Sequence, residues 1–292
     1  MELYLASIRL KLEATKGIIL SLTSSIQYSK PLIPVEHEFT ITYRKTDTKT
    51  DFSNYRLLLK GLSEDYNQVP YDWQILSNKR KIIFHISYVN EESFLEAHAE
   101  IQHANNQIAI FINPKAQSTD LKIDPLFHPL GSLLMVYFAN ISNSFLIHAS
   151  GVSLHNKGYL FTAKSGTGKS TIANLWQNAG ATIINDDRLW IKKIENRWVM
   201  LNTPMPYYIQ SPKLGVITKV FLIQQSPVNE LHSLSGLKAA MRLLSNCIQH
   251  LHSEEYANKH LDRILEFASN TSIYDCGFLP DQEIVKMMLA LP

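Results

Sequence analysis

The chain of 292 residues is 45% hydrophobic and 18% charged, a composition typical of a globular protein with one large domain or two ordinary ones. Its 28 basic and 26 acidic residues leave a formal net charge of +2, so no global field favours nucleic acid or an anionic membrane as a partner. No window approaches about 18 uninterrupted apolar residues, so we expect no membrane span. Cys247 and Cys276 lack a CxxC spacing, and we expect two reduced cysteines in a cytoplasmic protein.

The N-terminal part of the sequence is rich in predicted strands. Residues 37–45 (HEFTITYRK) and 79–88 (KRKIIFHISY) show alternation and carry β-branched and aromatic side chains. Asn105–Asn106 lies between two further strand-like runs, which predicts a hairpin turn.

The composition changes over residues 113–125, which are polar and bracketed by prolines as in a linker. We therefore predict a strand-rich domain over residues 1–116 and a second domain over residues 117–292. The second domain opens with apolar residues after Pro129 that suit a buried helix. In chain order it is then predicted to contain a strand pair (144–164), a helix ended by Gly180 (169–180), a buried strand (181–186), a hairpin turning at Glu195–Asn196 (188–201), one more strand (219–225) and two helices (235–269).

Residues 163–170 (AKSGTGKS) match a phosphate-binding loop. Such a loop needs glycines that let backbone N–H groups approach the phosphates, a lysine for the terminal phosphates and a Ser or Thr for Mg²⁺. The match lies between a predicted strand and a predicted helix, whose N-terminus favours anions. Only Ala163 departs from the pattern, which has glycine at this position. Its methyl group is tolerated if the backbone keeps a negative φ. The alternative is a chance glycine turn. The predicted phosphate-binding residues are Ala163, Lys164, Ser165, Gly166, Thr167, Gly168, Lys169, Ser170 and Thr171.

An acidic pair, Asp186–Asp187, follows Lys169 after only one predicted helix and one predicted strand. A crossover this short is close to the minimum, so it returns the pair beside the phosphates. Neighbouring strand residues point to opposite faces, so the strand must bend or end here if both carboxylates act. One aspartate can hold Mg²⁺ while the other orients an acceptor hydroxyl and takes its proton. The alternative is a solvated turn at the start of the next hairpin.

Other features match different classes of site less well. Residues 258–261 (NKHL) fail the base-reading motif of GTPases, and LSGLK (234–238) follows the acidic strand, whereas a transporter-ATPase signature would precede it. We interpret LSGLK as a helix start capped by Ser235. His250 and His252 do not share a helix face, so we place them on the surface rather than at a metal.

Residues 147–187 resemble the nucleotide-binding core of bacterial HPr serine kinase/phosphorylases and ATP-dependent phosphoenolpyruvate carboxykinases, and are most similar to the smaller HPr-kinase-like proteins. In that group a histidine precedes the phosphate-binding loop and an Asp–Asp pair follows one short helix. His148, the loop at 163–170 and Asp186–Asp187 match these features. The resemblance implies an α/β fold, a carboxykinase/HPr-kinase-like P-loop domain with mixed sheets preceded by a smaller strand-rich N-terminal domain.

Carried over by position, the resemblance also implies residue roles. Lys169 binds the β- and γ-phosphates, Ser170 and Asp187 lie at the metal, and Asp186 is the base on the acceptor side. His148 lies beside the transferred phosphoryl group or at a second metal, whereas the residues alone favour a buried strand histidine.

The implied function is a cytoplasmic, Mg-ATP-dependent kinase that phosphorylates a hydroxyl, expected to be a serine, of a protein or peptide. ATP and Mg²⁺ are the expected cofactors. We expect no nucleic acid or membrane as partner, and whether the chain forms a homo-oligomer stays open. Two alternatives remain, a phosphoenolpyruvate carboxykinase-type enzyme and a non-catalytic nucleotide-binding regulator. The glycine- and arginine-bearing signature of HPr kinases is missing. Arg242 and Lys213 are therefore candidates for a charge clamp, although we expect Arg242 on a solvated helix face.

Overall fold

A computed structural model describes residues 1–22, 28–62, 71–78, 80–88, 93–102, 105–115, 120–204 and 210–292. Over these residues the protein is a mixed α/β structure with several sheets and few helices. The chain divides into two compact units. The first comprises Met1–Phe138 and two short later segments, one of them His250–Glu254, and the second comprises Ala139–Thr203, Pro212–Gln249 and Glu255–Pro292. The boundary predicted between residues 116 and 117 stays a prediction.

The first unit is built on an eight-stranded sheet, as far as the described residues show, in the order β1-β2-β4-β9-β8-β7-β6-β5. Neighbours in the run β2-β4-β9 are parallel and the other neighbours are antiparallel. The short strands β3 and β10 pair in parallel beside it. Its elements are β1 (Glu2–Leu5), β2 (Ile8–Ala14), β3 (Ile18–Leu20), β4 (His37–Lys45), β5 (Arg56–Leu62), β6 (Tyr71–Ser77), β7 (Lys81–Tyr88), β8 (Phe94–Gln102), β9 (Gln107–Pro114), β10 (Leu121–Ile123) and α1 (Leu130–Ile141), the last up to Phe138.

The predicted strands of this unit are confirmed where they are described. β4 spans the predicted residues 37–45, and β7 covers the prediction at 79–88 apart from its first two positions, of which residue 79 lies outside the described residues. Asn105–Asn106 forms the turn between antiparallel β8 and β9. The predicted linker contains β10, and its residues 116–119 lie outside the described residues.

The second unit is built on a nine-stranded sheet within the described residues, with the path β12-β11-β14-β15-β16-β19-β17 and with β13 and β18 also paired to β11. β16 pairs in parallel with both β12 and β19. The elements are β11 (Ser144–Leu154), β12 (Lys157–Thr162), α2 (Lys169–Asn178), β13 (Thr182–Asn185), β14 (Arg188–Ile194), β15 (Arg197–Asn202), β16 (Leu214–Gln225), β17 (Glu230–Leu234), α3 (Gly236–Leu244), β18 (Cys247–Ile248), α4 (Glu254–Ser269), β19 (Ser272–Phe278) and α5 (Gln282–Ala290).

Two hydrophobic cores cover the two faces of this second sheet. The side chains of β16 alternate between the two cores: Val220 and Leu222 face one core, while Phe221 and Ile223 face the other. The first core receives α3 and α4, and the second receives α2 and α5. Trp176 of α2 is fully buried against Tyr159, with ring centroids 4.2 Å apart. This packing fixes α2 against the strand that precedes it.

The order of elements predicted after residue 129 is largely confirmed. α1 begins directly after Pro129, β14 and β15 turn at Glu195–Asn196, and two helices lie within residues 235–269. The prediction of one further strand is wrong, because β17, β18 and β19 follow β16. These strands are short and were missed because their pairing with distant strands decides their conformation. Ser235 is the N-cap residue of α3, but its side chain makes no cap hydrogen bond.

The surface position predicted for His250 and His252 is wrong. Both side chains are buried, and they lie in a segment without helix between β18 and α4, where alternate residues can face the same side. Their ring centroids are 5.5 Å apart, and His250 Nε2 donates to Leu133 O at 3.0 Å. Burial lowers the pKa of His250 to about 4.

No helix in the described ranges of the chain is both long enough and apolar enough to cross a membrane.

We predict that mild acid destabilises the fold through buried histidines such as His260 of α4. Burial lowers the pKa of His260 from 6.5 to about 4, so the unfolded chain binds a proton in this interval that the folded protein excludes. The free energy of unfolding therefore falls by about 1.4 kcal/mol per pH unit for each such group as the pH drops through this window. Denaturant titrations from pH 7 to pH 4 should show a shallower fall for His260→Leu.

The matched control is His232→Leu, which removes a histidine whose side chain is 72% exposed. It should keep the pH dependence of the wild-type protein. Equal slopes for His260→Leu and wild type would contradict the prediction.

Candidate functional site

Residues 163–168 form a loop that joins β12 directly to α2. Gly166 and Gly168 have φ angles of +78° and +106°, a left-handed conformation that glycine adopts without strain. Gly168 is the N-cap residue of α2 and provides no side-chain cap, so the first N–H groups of the helix keep their donor capacity. A helix start of this kind combines open donors with the positive end of the helix dipole, which suits an anion such as a phosphate.

Lys169, the first residue of α2, is only 6% exposed. Its Nζ donates to Ala163 O and Lys164 O, both at 3.0 Å, so the ammonium group is held inside the loop. Burial lowers the pKa of Lys169, while the nearby charge of Asp187 raises it. The loop therefore presents a cation that is partly desolvated and that interacts electrostatically with one of the predicted aspartates.

Ala163 replaces the expected glycine because the position is part of the core. Its side chain is buried in the cluster that includes Phe161 and Trp176, and its φ is not in the positive region. The backbone condition under which a methyl group is tolerated here is therefore met. The remaining predicted phosphate-binding residues lie on the loop or on the first turn of α2, where Lys164, Ser165, Gly166, Ser170 and Thr171 are exposed and Thr167 and Gly168 are half-buried.

The acidic pair occupies the break between β13 and β14. β13 ends at Asn185, one residue before the end predicted for this strand, and β14 begins at Arg188, so the chain leaves the strand at the pair, as it must if both carboxylates act. Asn185, which the sequence reasoning missed, shapes the bend: its Oδ1 accepts from Asp186 N at 2.8 Å and its Nδ2 donates to Arg188 O at 2.6 Å. Asp186 and Asp187 are half-buried.

His148 of β11 contacts Asp187 twice. Its Nδ1 lies 2.8 Å from Asp187 O and 3.3 Å from Asp187 Oδ1. Both oxygens are acceptors, so Nδ1 carries the proton of this contact. The hydrogen bond from His148 lowers the pKa of Asp187, and the charges of Arg188 and Lys169 lower it further against the effect of burial. The structure thus groups His148, Asp187 and Lys169.

A cavity of about 270 Å³ lies in the second unit beside the loop. It is bordered by β16 at Leu222–Gln224, by Thr162 at the carboxyl end of β12, and by the loop. Ligands of α/β sheets bind beyond the carboxyl ends of parallel strands, so this is the expected place for one. The remaining wall is the end of α3 with the residues after it, Arg242, Ser245 and Asn246.

Backbone contacts join this cavity to His148. Asn246 O accepts from His148 N at 2.9 Å, and Thr162 Oγ1 donates to His148 O at 2.9 Å. Both residues line the cavity, so the histidine belongs to the same part of the structure.

Arg242 is half-buried on α3, with 34% of its side chain exposed, so the solvated face expected for it is confirmed only in part. Arg242 Nη1 lies 2.7 Å from Asp275 Oδ2, and the residue forms part of the cavity wall. No local pattern could have revealed this, because the contact depends on the packing of α3 against β19. Lys213, the other candidate for a charge clamp, donates through Nζ to Ile183 O at 2.8 Å and does not line the cavity.

Within the described ranges, no group of three or more His, Cys, Asp or Glu side chains is arranged to hold a metal ion. Ser170 and Asp187 are the residues that the resemblance assigns to Mg²⁺. Mg²⁺ is commonly bound by one or two protein ligands, with phosphate oxygens and water completing the octahedron, and this donor set is compatible with that chemistry.

Comparison with known proteins finds similarity only among solved structures. No family model and no curated protein matches the sequence. Among solved structures, the chain is similar to the Hpr(Ser) kinase/phosphatase from Coxiella burnetii, with 9% sequence identity and a TM-score of 0.29. The match covers 49% of this chain and 91% of that one. A TM-score this low does not establish a common fold.

We predict that Gly168→Ala destabilises the protein more than Gly180→Ala. Both glycines have positive φ, so an alanine costs about 1 kcal/mol at either position. Only at position 168 would the new Cβ also collide, at 2.9 Å from Phe278 Cζ, whereas nothing lies within 4 Å at Gly180. Overpacking of this kind adds about 1–3 kcal/mol. Chemical denaturation of the two variants checks this, and equal losses would contradict it.

Proposed function

We propose that the chain is a Mg-ATP-dependent kinase that transfers a phosphoryl group to a hydroxyl, in the first instance a serine, of a protein or peptide. In this proposal the second unit has a P-loop fold of the HPr-kinase and phosphoenolpyruvate carboxykinase kind. One observation carries it: the loop at 163–168 leads into a helix start without a side-chain cap and lies beside the His148–Asp187 contact.

The loop and α2 provide the nucleotide half of the proposed site. Backbone N–H groups from Gly166 to Ser170 cradle the phosphates, and Lys169 neutralises the charge on the β- and γ-phosphates. Ser170 and Asp187 hold Mg²⁺, which neutralises phosphate charge when it is bound. The lowered pKa of Asp187 keeps it ionised and suits a cation ligand better than a proton acceptor.

The acceptor half of the proposed site contains Asp186 and His148. Asp186 takes the proton of the acceptor hydroxyl in our proposal, since its neighbour is committed to His148 and the metal. His148 is fixed through Nδ1, so Nε2 accepts a hydrogen bond from the acceptor or, when protonated, donates one to the phosphoryl group. Phosphoryl transfer requires little more of the protein than this positioning and charge neutralisation.

The first test is phosphate transfer from labelled ATP to candidate acceptors, beginning with proteins encoded nearby. Lys169→Ala should lower the rate at least about 100-fold, because it removes the buried cation of the loop. The control is Lys193→Ala, a lysine of β14 that contacts Glu266 on the surface and lies outside the site. Transfer that survives Lys169→Ala would contradict the proposal.

The base assignment has a separate test. Asp186→Ala should lower kcat by about 100-fold or more while Mg-ATP still binds. Transfer that survives this change would remove the role of Asp186 and direct attention to His148, which His148→Gln then examines.

The two alternative functions are recognised by different outcomes. ATP consumption that depends on oxaloacetate would indicate a carboxykinase. Tight Mg-ATP binding in calorimetry without turnover on any acceptor would indicate a nucleotide-binding regulator.

A further inference from the structure

Helix α3 exposes an apolar pair on its outer face. Leu237 is 66% exposed and Met241 is 51% exposed, and the two lie one helical turn apart. The opposite face is fixed in the core by Ala239, Ala240 and Leu243, so the rotation of the helix is determined. Large apolar side chains that remain exposed next to each other are typical of a binding surface.

The same helix is basic. Lys238 and Arg242 lie one turn apart beside the apolar pair, and the sequence of α3 (GLKAAMRLL) contains no acidic residue. Lys238 is exposed, and Lys164 of the neighbouring loop is a further exposed cation at the cavity. A partner for this surface therefore carries negative charge.

The C-terminal end of α3 leads into the cavity of the candidate site. Ser245 Oγ and Asn246 Nδ2 donate to Arg242 O at 2.8 and 3.0 Å, which closes the last turn. Arg242, Ser245 and Asn246 all line the cavity, and Asn246 O accepts from His148 N. The exposed face of α3 is thus continuous with the cavity, and Asn246 of the cavity wall contacts the backbone of His148, a residue of the proposed acceptor half.

Arg242 retains capacity for an anion. Among the described residues, Asp275 is the one side chain that contacts the guanidinium of Arg242, with its Oδ2 2.7 Å from Nη1. A guanidinium has five N–H donors, so one carboxylate contact leaves others for a second acidic group. Asp275 orients the arginine, which makes Asp275 a positioning residue.

We propose that Leu237, Lys238, Met241 and Arg242, the α3 face, form the docking surface for the phosphoacceptor, an extended peptide segment with acidic and apolar residues around its serine. This rests on the proposed function, which supplies the reaction at the cavity. Side chains one helical turn apart are separated by about 6 Å along the axis. Alternate residues of an extended peptide are about 7 Å apart. Apolar residues two and four positions from the serine therefore match Met241 and Leu237 when the serine lies at the cavity.

The experiment measures binding directly, by fluorescence anisotropy, so that it does not depend on turnover. The probe is a fluorescein-labelled peptide with one serine, leucine two and four residues before it, and glutamate one and three residues before it, so that the glutamates lie beside the leucines as Arg242 and Lys238 lie beside Met241 and Leu237. Two comparison peptides replace the glutamates by lysine or the leucines by serine. The wild-type protein should bind the probe at least tenfold more tightly than either comparison peptide.

Variants of the α3 face locate the binding. Lys238→Glu and Met241→Ser each change an exposed side chain, and each should weaken binding of the probe about tenfold. Lys238→Glu should in addition bind the lysine-containing peptide more tightly than the wild-type protein does, a rescue that a merely structural role would not produce. Lys157→Glu is the matched control. It makes the same charge change at the start of β12, whereas the loop follows the end of that strand.

The outcomes separate docking from catalysis. Equal binding of all three peptides, or an unchanged affinity in Lys238→Glu and Met241→Ser, overturns the docking surface. Binding that follows the expected pattern, without phosphate transfer from ATP to the bound probe, supports the docking surface and overturns the proposed kinase activity. Phosphate transfer to the probe that neither α3 variant affects supports the kinase activity and overturns the docking surface.

Discussion

The candidate site depends on how strand β11 divides its hydrogen bonds between partners. Along one edge it pairs first with β14 and then with β13, and along the other first with β18 and then with β12. Both changes of partner fall at His148–Ser150. The bend at Asp186–Asp187 lies where the pairing changes from β14 to β13, and there Ala149 N donates to Asp187 O at 3.1 Å. At the other, β12 ends at Thr162 and continues into the loop. One strand therefore brings the histidine, the carboxylates and the loop together.

Packing on both faces of the sheet holds this arrangement in place. On one face, Trp176 fixes α2 against Tyr159 and Phe161, which also fixes the loop between them. On the other face, α3 approaches the sheet through the small residues Ala239 and Ala240. Burial of an aromatic side chain of this size contributes about 3–5 kcal/mol, which is large compared with the polar contacts of the site. The cores thus position polar groups that could not order themselves.

The charged groups of the site form two separate sets. Asp187 interacts with His148 and Lys169 next to the loop. Arg242 pairs with Asp275 at the cavity wall, on the side of α3. Pairing reduces the cost of desolvating each charge. Each set therefore keeps a defined orientation, one beside the loop and one at the cavity wall.

The sequence by itself determined the features that adjacent residues encode. The loop, the strand break at the acidic pair and the turn at Glu195–Asn196 could be predicted, because glycine conformation and short-range spacing decide them. Only the tertiary structure decided the rest. The strands β17 to β19, the burial of His250 and the place of Arg242 depend on contacts between segments far apart in the chain. Local propensity contains no information about such contacts, since the burial and charge that stabilise them come from the partner segment.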